Sequence, residues 1–470
     1  MCLAASAALI NAGASLFGSA LDTIAILNNP FAGQQDRFLA MAIAAAMATM
    51  GGLLVIHRAR RTGWPLLLLA GAALSTAQTV PMLSGDVVRY LEHATVTVFA
   101  AMGAGGTLVV LGLLGAVNML AHAGARGSAA AIAGVALGAP MIGTLALHLL
   151  PIVEDSDFTM LRNLYVLLSG IGIAGAIGAT AMLGVLRRLP EPEPPRHAVT
   201  VVGVIAATAL VVPALVIRVL WEPSSPAPPG SPLDGPIMGS LDELAVLHGM
   251  SGLVIFLGSV GLAAALGSRA LGTALAVGLV LFAVPVPLLV ARLVLESRVD
   301  LAVPAILGLA VAGVAAASRW RAWVAAGSCA AAGILTFALP VPPGDLPGNA
   351  TASVVGTVLI PLVMIGVITA VATGAMAVAE RTQVPVVLGA VATAIQVGLI
   401  YTGTLLVHGI DGIDGTGRPA GQEWTRIDDL VLASGIALLV GALLVAVLPF
   451  VHAPARPDQA GASPQLPVAR

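Results

Sequence analysis

Long uncharged runs of apolar residues, separated by short polar stretches, recur from one end of the chain to the other. A hydrocarbon core of roughly 30 Å is crossed by about 20 helical residues, so each run predicts one spanning helix. The runs cover 3–27, 38–56, 64–83, 94–120, 128–152, 163–186, 199–221, 244–267, 271–295, 301–318, 322–340, 351–379, 383–407 and 430–452. Lipid offers the backbone no hydrogen-bond partner, so each run must close its own bonds as an α-helix. The expectation is an all-α integral membrane protein with fourteen spans.

Composition removes the soluble alternative. The chain has 470 residues, of which 58% are hydrophobic and 9% charged, against about 45–50% and 25% in an average soluble domain. Its 54 glycines, with abundant alanine, let helices approach closely. A net charge of −2, with no basic run longer than three residues, gives no footprint for nucleic acid. Cys2 and Cys329 stand in different spans, with no disulfide framework and no metal-ligand spacing. The apolar N-terminal stretch lacks a basic leader and runs too long for a signal sequence, so it reads as a retained span.

The polar segments orient the spans, because short cytoplasmic loops collect arginine. Loops after even-numbered spans, with the two chain ends, hold thirteen arginines and four acids. The odd-numbered loops hold six arginines and eighteen acids. Both termini are therefore expected in the cytoplasm, and the location is a bacterial plasma membrane crossed many times.

The pattern also repeats. GTLALH at 143–148 returns as GTLLVH at 403–408. RNLYVLLSGI at 162–171 is matched by RIDDLVLASGI at 426–436, and Gly52 before Arg58-Ala-Arg60 by Gly313 before Arg319-Trp-Arg321. These matches keep their order at shifts of 260 to 265 residues. RRLPEPEPPRH at 187–197 and the proline-rich EPSSPAPPGSPLDGP at 222–236 read as linkers. The expected organisation is a six-helix bundle at 1–187, two inserted helices at 188–268, a second six-helix bundle at 269–453 and a cytoplasmic tail at 454–470. Transporters built from repeated halves place their substrate path between the halves and alternate access by rocking one against the other.

Three stretches carry a family resemblance. LDTIAILNNP at 21–30 has an Asp and Thr followed by Asn and a closing Pro; GVALGAPMIG at 134–143 is a glycine-proline segment in the fifth span; HRARRTG at 57–63 is a basic turn after the second. With these the chain resembles the major facilitator superfamily, and within it the fourteen-helix drug:proton antiporter branch. The resemblance implies a major-facilitator-like fold of two pseudo-symmetric six-helix bundles plus two inserted helices. It departs from the family at Ile56, where an Asp is expected near the end of helix two, and at Phe99, where an Arg is expected before the glycine run of helix four.

Candidate residues follow from depth and chemistry. Asp22 is the one acid well inside a span, where a charged Asp costs about 2.5–3.5 kcal/mol on insertion scales. It is the candidate for proton coupling, or else a carboxylate at the headgroup level. Arg218 and Arg292 lie three residues from the outer ends of their spans, where a long side chain snorkels to water or meets an anionic group or Asp22. Asn28, Gln78 and Gln396 are further candidates for the substrate path. His148 and His408, closing the twin phrases, are candidates for the outer vestibule, titrating near neutrality or simply wetted. Gly138, Pro140 and Gly143 permit a bend and close approach in the fifth span, and the resemblance implies a gating role for them. Arg58, Arg60 and Arg61 form the cytoplasmic loop cluster, read as topology determinants and contacts to anionic lipid.

The function expected from these features is secondary active transport, in the form of proton-coupled export of a small amphiphilic or lipid-like compound by alternating access. With three Tyr, five Trp and nine Phe, a strongly aromatic drug cage is disfavoured. The alternative is a facilitator-fold membrane partner or sensor that does not transport, as the Ile56 and Phe99 departures would suit. The sequence offers no nucleophile-base-acid constellation and no phosphate loop, and the first external loop holds Asp36 alone where a membrane glycosyltransferase would want paired acids. No enzyme activity, cofactor or metal site is expected. The partners are a small-molecule substrate, the lipid bilayer and protons.

Overall fold

The apolar runs close into helices wherever the computed structural model describes the chain: residues 34–59, 62–75, 96–148, 170–178, 180–181, 277–280, 283–284, 298–337, 350–379 and 423–447, with single positions at 211, 215 and 219. Among the described residues there is no strand, and eight helices are delimited. They are α1 (Gln34–Arg58), α2 (Gly63–Ser75), α3 (Val96–His122), α4 (Arg126–His148), α5 (Arg298–Ala317), α6 (Arg321–Phe337), α7 (Ala350–Ala379) and α8 (Glu423–Val447). These correspond to spans two to five, ten to twelve and fourteen. Spans six, seven and nine are described in part, and the others lie outside the described residues. The last helix starts at Glu423, earlier than the apolar run at 430. Acids near a helix N-terminus oppose its positive end, so the polar EWTRIDD stretch is helical without being hydrophobic.

Tight turns join the helices that are consecutive. After α3, Gly124 takes φ +85°, with its N–H donating to the Ala121 carbonyl and that of Ala125 to Leu120. These two bonds cap the last carbonyls of α3 in a Schellman arrangement, which needs a residue free to enter the left-handed region. Between α5 and α6, the Ser318 hydroxyl accepts from the Trp320 amide at 3.2 Å, satisfying a donor at the start of α6.

The outer faces are as apolar as the inner ones. On α8, Val431, Ser434, Leu438, Ala442 and Val445 are buried, while Leu432, Ile436, Val440, Leu443 and Val447 are exposed. On α5 the exposed set is Val303, Ile306, Leu307, Val311 and Val314. A protein in water does not present such continuous stripes; a hydrocarbon solvent accepts them. The segments 103–122 and 357–376 are each long and apolar enough to cross a membrane. With the fourteen apolar runs of the sequence, these faces fit a multi-pass membrane protein.

Packing among the helices follows one scheme twice. α3 lies along both α1 and α2, which scarcely touch each other; α7 lies along both α5 and α6, which scarcely touch each other. Glycine sets the closeness of the first group. A Cβ on Gly71 would stand 2.5 Å from the Val109 amide nitrogen, and one on Gly112 would stand 2.8 Å from both the Leu68 nitrogen and the Trp64 carbonyl oxygen. The backbones of α2 and α3 are thus in direct contact. The buried Trp64 indole N–H donates to the Met119 sulfur at 2.6 Å and closes the same crossing near the α3 C-terminus.

These contacts run α2 antiparallel to α3, and Gly127 beside the Ala317 carbonyl runs α4 antiparallel to α5. The three described turns consequently fall at one end of the molecule. That end collects Arg58, Arg126, Arg319 and Arg321. The arginine bias of the loops and the helix geometry therefore agree for these spans.

Gly112→Ala is expected to lower stability by about 1–3 kcal/mol, the usual range for overpacking. Gly51→Ala, where no atom lies within 4 Å of the added carbon, is expected to be neutral or mildly stabilising. Thermal unfolding of both variants in detergent checks the pair; equal losses would contradict the close α2–α3 approach.

Candidate functional site

The N-terminal helices meet the C-terminal ones through α4, and the meeting surface is made of small side chains. On α4, Ala130, Gly134 and Gly138 recur every four residues, with Ala129 and Ala133 beside them. On α5 the same spacing gives Gly308, Ala312 and Ala316. Small residues at this spacing let helix backbones approach, which matters most in lipid, where apolar burial drives no association.

α7 completes the seam. A Cβ on Gly134 would stand 2.6 Å from the Ile368 carbonyl oxygen and 3.1 Å from the Ala372 Cβ. One on Gly138 would stand 3.1 Å from the Ile368 Cα. Ile368 is fully buried and fills the notch these two glycines leave. Ala129, Ala130, Ala133, Ala312, Ala316, Ala372, Ala375 and Met376 form one buried cluster with Ile368 and with Val117 of α3. On α5, Gly308 lets the helix seat on the Pro361 Cα, where a Cβ would come within 2.8 Å. Pro361 lies inside α7 and removes one of its backbone hydrogen bonds.

The described residues buried in the seam are alanine, Ile368, Met376 and Val117. Its contacts are dispersive, many and individually weak. Within the helix groups the contacts are of another kind: Trp64 to Met119, and the Ser434 hydroxyl to the Ala283 carbonyl at 2.5 Å, are directional and buried.

Of the residues singled out from the sequence, Gly138 is placed in the seam. Pro140, Gly143 and His148 continue α4 as helix, their side chains being outside the described residues. Arg58 is exposed at the end of α1. Asp22, Asn28, Gln78, Arg218, Arg292, Gln396, His408, Arg60 and Arg61 lie outside the described residues. Ile56 is half-buried against the main core, so an apolar contact stands where the resembled family has a carboxylate. The described residues hold no group of three metal-ligating side chains. Sequence reading missed Ile368, Ala372 and Ser434. The four-residue spacing of small side chains in α4 and α5 was a readable signal for the seam, whereas nothing in the α7 sequence distinguishes Ile368 from its apolar neighbours.

No protein-family model and no curated protein matches this sequence. Among solved structures the chain is similar to the human organic anion transporter MFSD10 (TETRAN), with 13% identity, TM-score 0.45, and 95% of this chain and 97% of that chain covered. It is similar at 13% identity and TM-score 0.45 to a bacterial homologue of the iron transporter ferroportin in an outward-facing state, with 95% and 98% covered. The same identity and score relate it to the major facilitator superfamily proton:xylose symporter XylE, with 95% of each chain covered.

Substituting Gly134 by Val forces α4 away from the Ile368 carbonyl. In a background lacking Cys2, a cysteine introduced as Ala372→Cys is expected to react slowly with a membrane-impermeant maleimide, and at least about fivefold faster once Gly134→Val is added, as overpacking by ~1 kcal/mol or more would give. Unchanged labelling would show that the seam is not closed by this contact.

Proposed function

We propose that the chain is a secondary active transporter of a small amphiphilic or lipid-like compound, exporting it by alternating access in exchange for protons. The observation that carries this reading is the seam. The helices described up to residue 148 and those from 298 pack by the same scheme, and α4 joins them through a smooth apolar surface. The buried residues described in this surface are apolar, which suits rocking of two pseudo-symmetric bundles. The seam lies toward the arginine-rich end, so its closure would seal the cytoplasmic mouth of a path between the bundles.

The repeat in the sequence supports the same division, with boundaries at 1–187, 188–268 and 269–453. Asp22 serves as the coupling carboxylate, because an acid within a span is costly to place in lipid and so faces a cavity or a partner. Gln78, Gln396 and Asn28 supply polar contacts along the path, Arg218 and Arg292 stand near its outer mouth, and His148 and His408 flank the vestibule. Gly138, Pro140 and Gly143 give α4 the smoothness and bend that gating needs. The bacterial plasma membrane is the proposed location.

A second reading is favoured by one observation: Ile56 packs against the core where the resembled family uses a carboxylate. A facilitator-type protein without that group could serve as a membrane partner or sensor that carries no substrate.

Reconstituted vesicles loaded with a fluorescent lipophilic dye or a short-chain fluorescent phospholipid separate the two. An imposed proton gradient is expected to drive flux in the wild type, with Asp22→Asn reducing the driven component at least about tenfold, as loss of an intramembrane titratable group predicts. Flux indifferent to Asp22→Asn contradicts the coupling role, and absence of flux for either probe favours the partner role.

A further inference from the structure

Hydroxyl groups in the described helices follow a common habit. Thr49, Thr107, Thr180, Thr336, Thr369 and Thr373 each donate to the carbonyl four residues back on their own helix. That local bond satisfies the hydroxyl and links nothing else. Ser434 does otherwise: its buried hydroxyl crosses from α8 to the carbonyl of Ala283, 151 residues away in the chain, at 2.5 Å.

Ala283 explains the exception. In a continuing helix its carbonyl would accept from the amide of residue 287, but that residue is Pro287, which has no N–H. The helical bond from the Val284 amide to the Val280 carbonyl is present at 3.1 Å, so the helix runs up to this point. Ala283 and Val284 are 1% and 3% exposed. Without another donor, a carbonyl at that depth in a membrane protein would be left unsatisfied. Ser434, itself 3% exposed, supplies the proton that Pro287 cannot.

α8 is held there by more than this bond. A Cβ on the next residue, Gly435, would meet the Phe337 ring of α6 at 2.5 Å, and one on Gly333 would meet the Gly435 carbonyl at 3.0 Å. α8 is therefore wedged between α6 and the 277–284 segment with its hydroxyl aimed at the orphaned carbonyl.

We propose that Ser434 is a positioning residue that replaces the backbone donor missing at Pro287, clamping the ninth span at Ala283 to α8. This inference rests on the hydrogen bond and on the covalent chemistry of proline, and does not require the transport reading. It assigns a physical task to the Ser-Gly-Ile of 434–436, which the sequence shares with 169–171.

The test is a double-mutant cycle read by amide hydrogen exchange of peptides within 277–295 and by melting temperature, on the full chain in detergent. Ser434→Ala is expected to speed exchange in that segment about fivefold, as loss of one interhelical bond in a membrane protein gives, and to lower the melting temperature by about 2 °C. Pro287→Ala restores an N–H at position 287. In that background Ser434→Ala is expected to change neither quantity appreciably, because the backbone reclaims the carbonyl. Equal losses with and without Pro287 would mean that Ser434 acts by packing alone and would overturn the proposal, as would an unchanged exchange rate in the single variant. Should Pro287→Ala fail to fold, Ser434→Thr decides: protection kept relative to Ser434→Ala supports the clamp, and protection lost to the same extent overturns it.

Discussion

Helices dissolved in hydrocarbon gain nothing by hiding apolar side chains from one another, so they associate only where backbones come close enough for dispersion and directional bonds to accumulate. That constraint shapes every crossing described here. Gly71 and Gly112 bring α2 onto α3, Gly308 seats α5 on Pro361 of α7, and Gly134 and Gly138 open α4 to Ile368. The exposed faces of α5 and α8, as apolar as the buried ones, show the other side of the same constraint.

The crossings share that closeness and differ in the side chains around it. The α2–α3 crossing has backbone against backbone, locked by the Trp64–Met119 bond, and the α6–α8 crossing is tied to the ninth span through Ser434. The α4 seam against α5 and α7 is as close, with Gly134 beside the Ile368 carbonyl, and its buried cluster is alanine with Ile368, Met376 and Val117. On the proposed reading, opening of this seam is the alternation of access.

Much of this was legible in the sequence, for stated reasons. Hydropathy alone located α1, α3, α4, α5, α6 and α7 to within a few residues, because lipid permits only closed hydrogen-bonding over such lengths. It missed the start of α8, since the EWTRIDD stretch is helical but polar. Gly138 was singled out through a resemblance, and the structure gives it a neighbour, Ile368, that no pattern in α7 announces. The repeat pairs Gly52 with Gly313, yet their surroundings differ: a Cβ on Gly52 would press on Leu111 of α3, whereas one on Gly313 would make ordinary contact with Val135 of α4. Shared letters preserved the helix register, and the contact partner depended on which elements lie alongside, which is a tertiary matter. The Ser-Gly-Ile phrase, which marked the repeat in the sequence, holds Ser434 and Gly435 at a crowded junction.

The account turns on whether the seam opens. Ala123, in the turn between α3 and α4, and Arg319, in the turn between α5 and α6, are both exposed at the arginine-rich end, on opposite sides of the seam. Spin labels at these two positions, with distances read by pulsed electron resonance in lipid nanodiscs, measure its opening directly. Two distance populations whose ratio shifts with pH would bear the account out. A single distance, the same at every pH and unaffected by Gly134→Val, would contradict it.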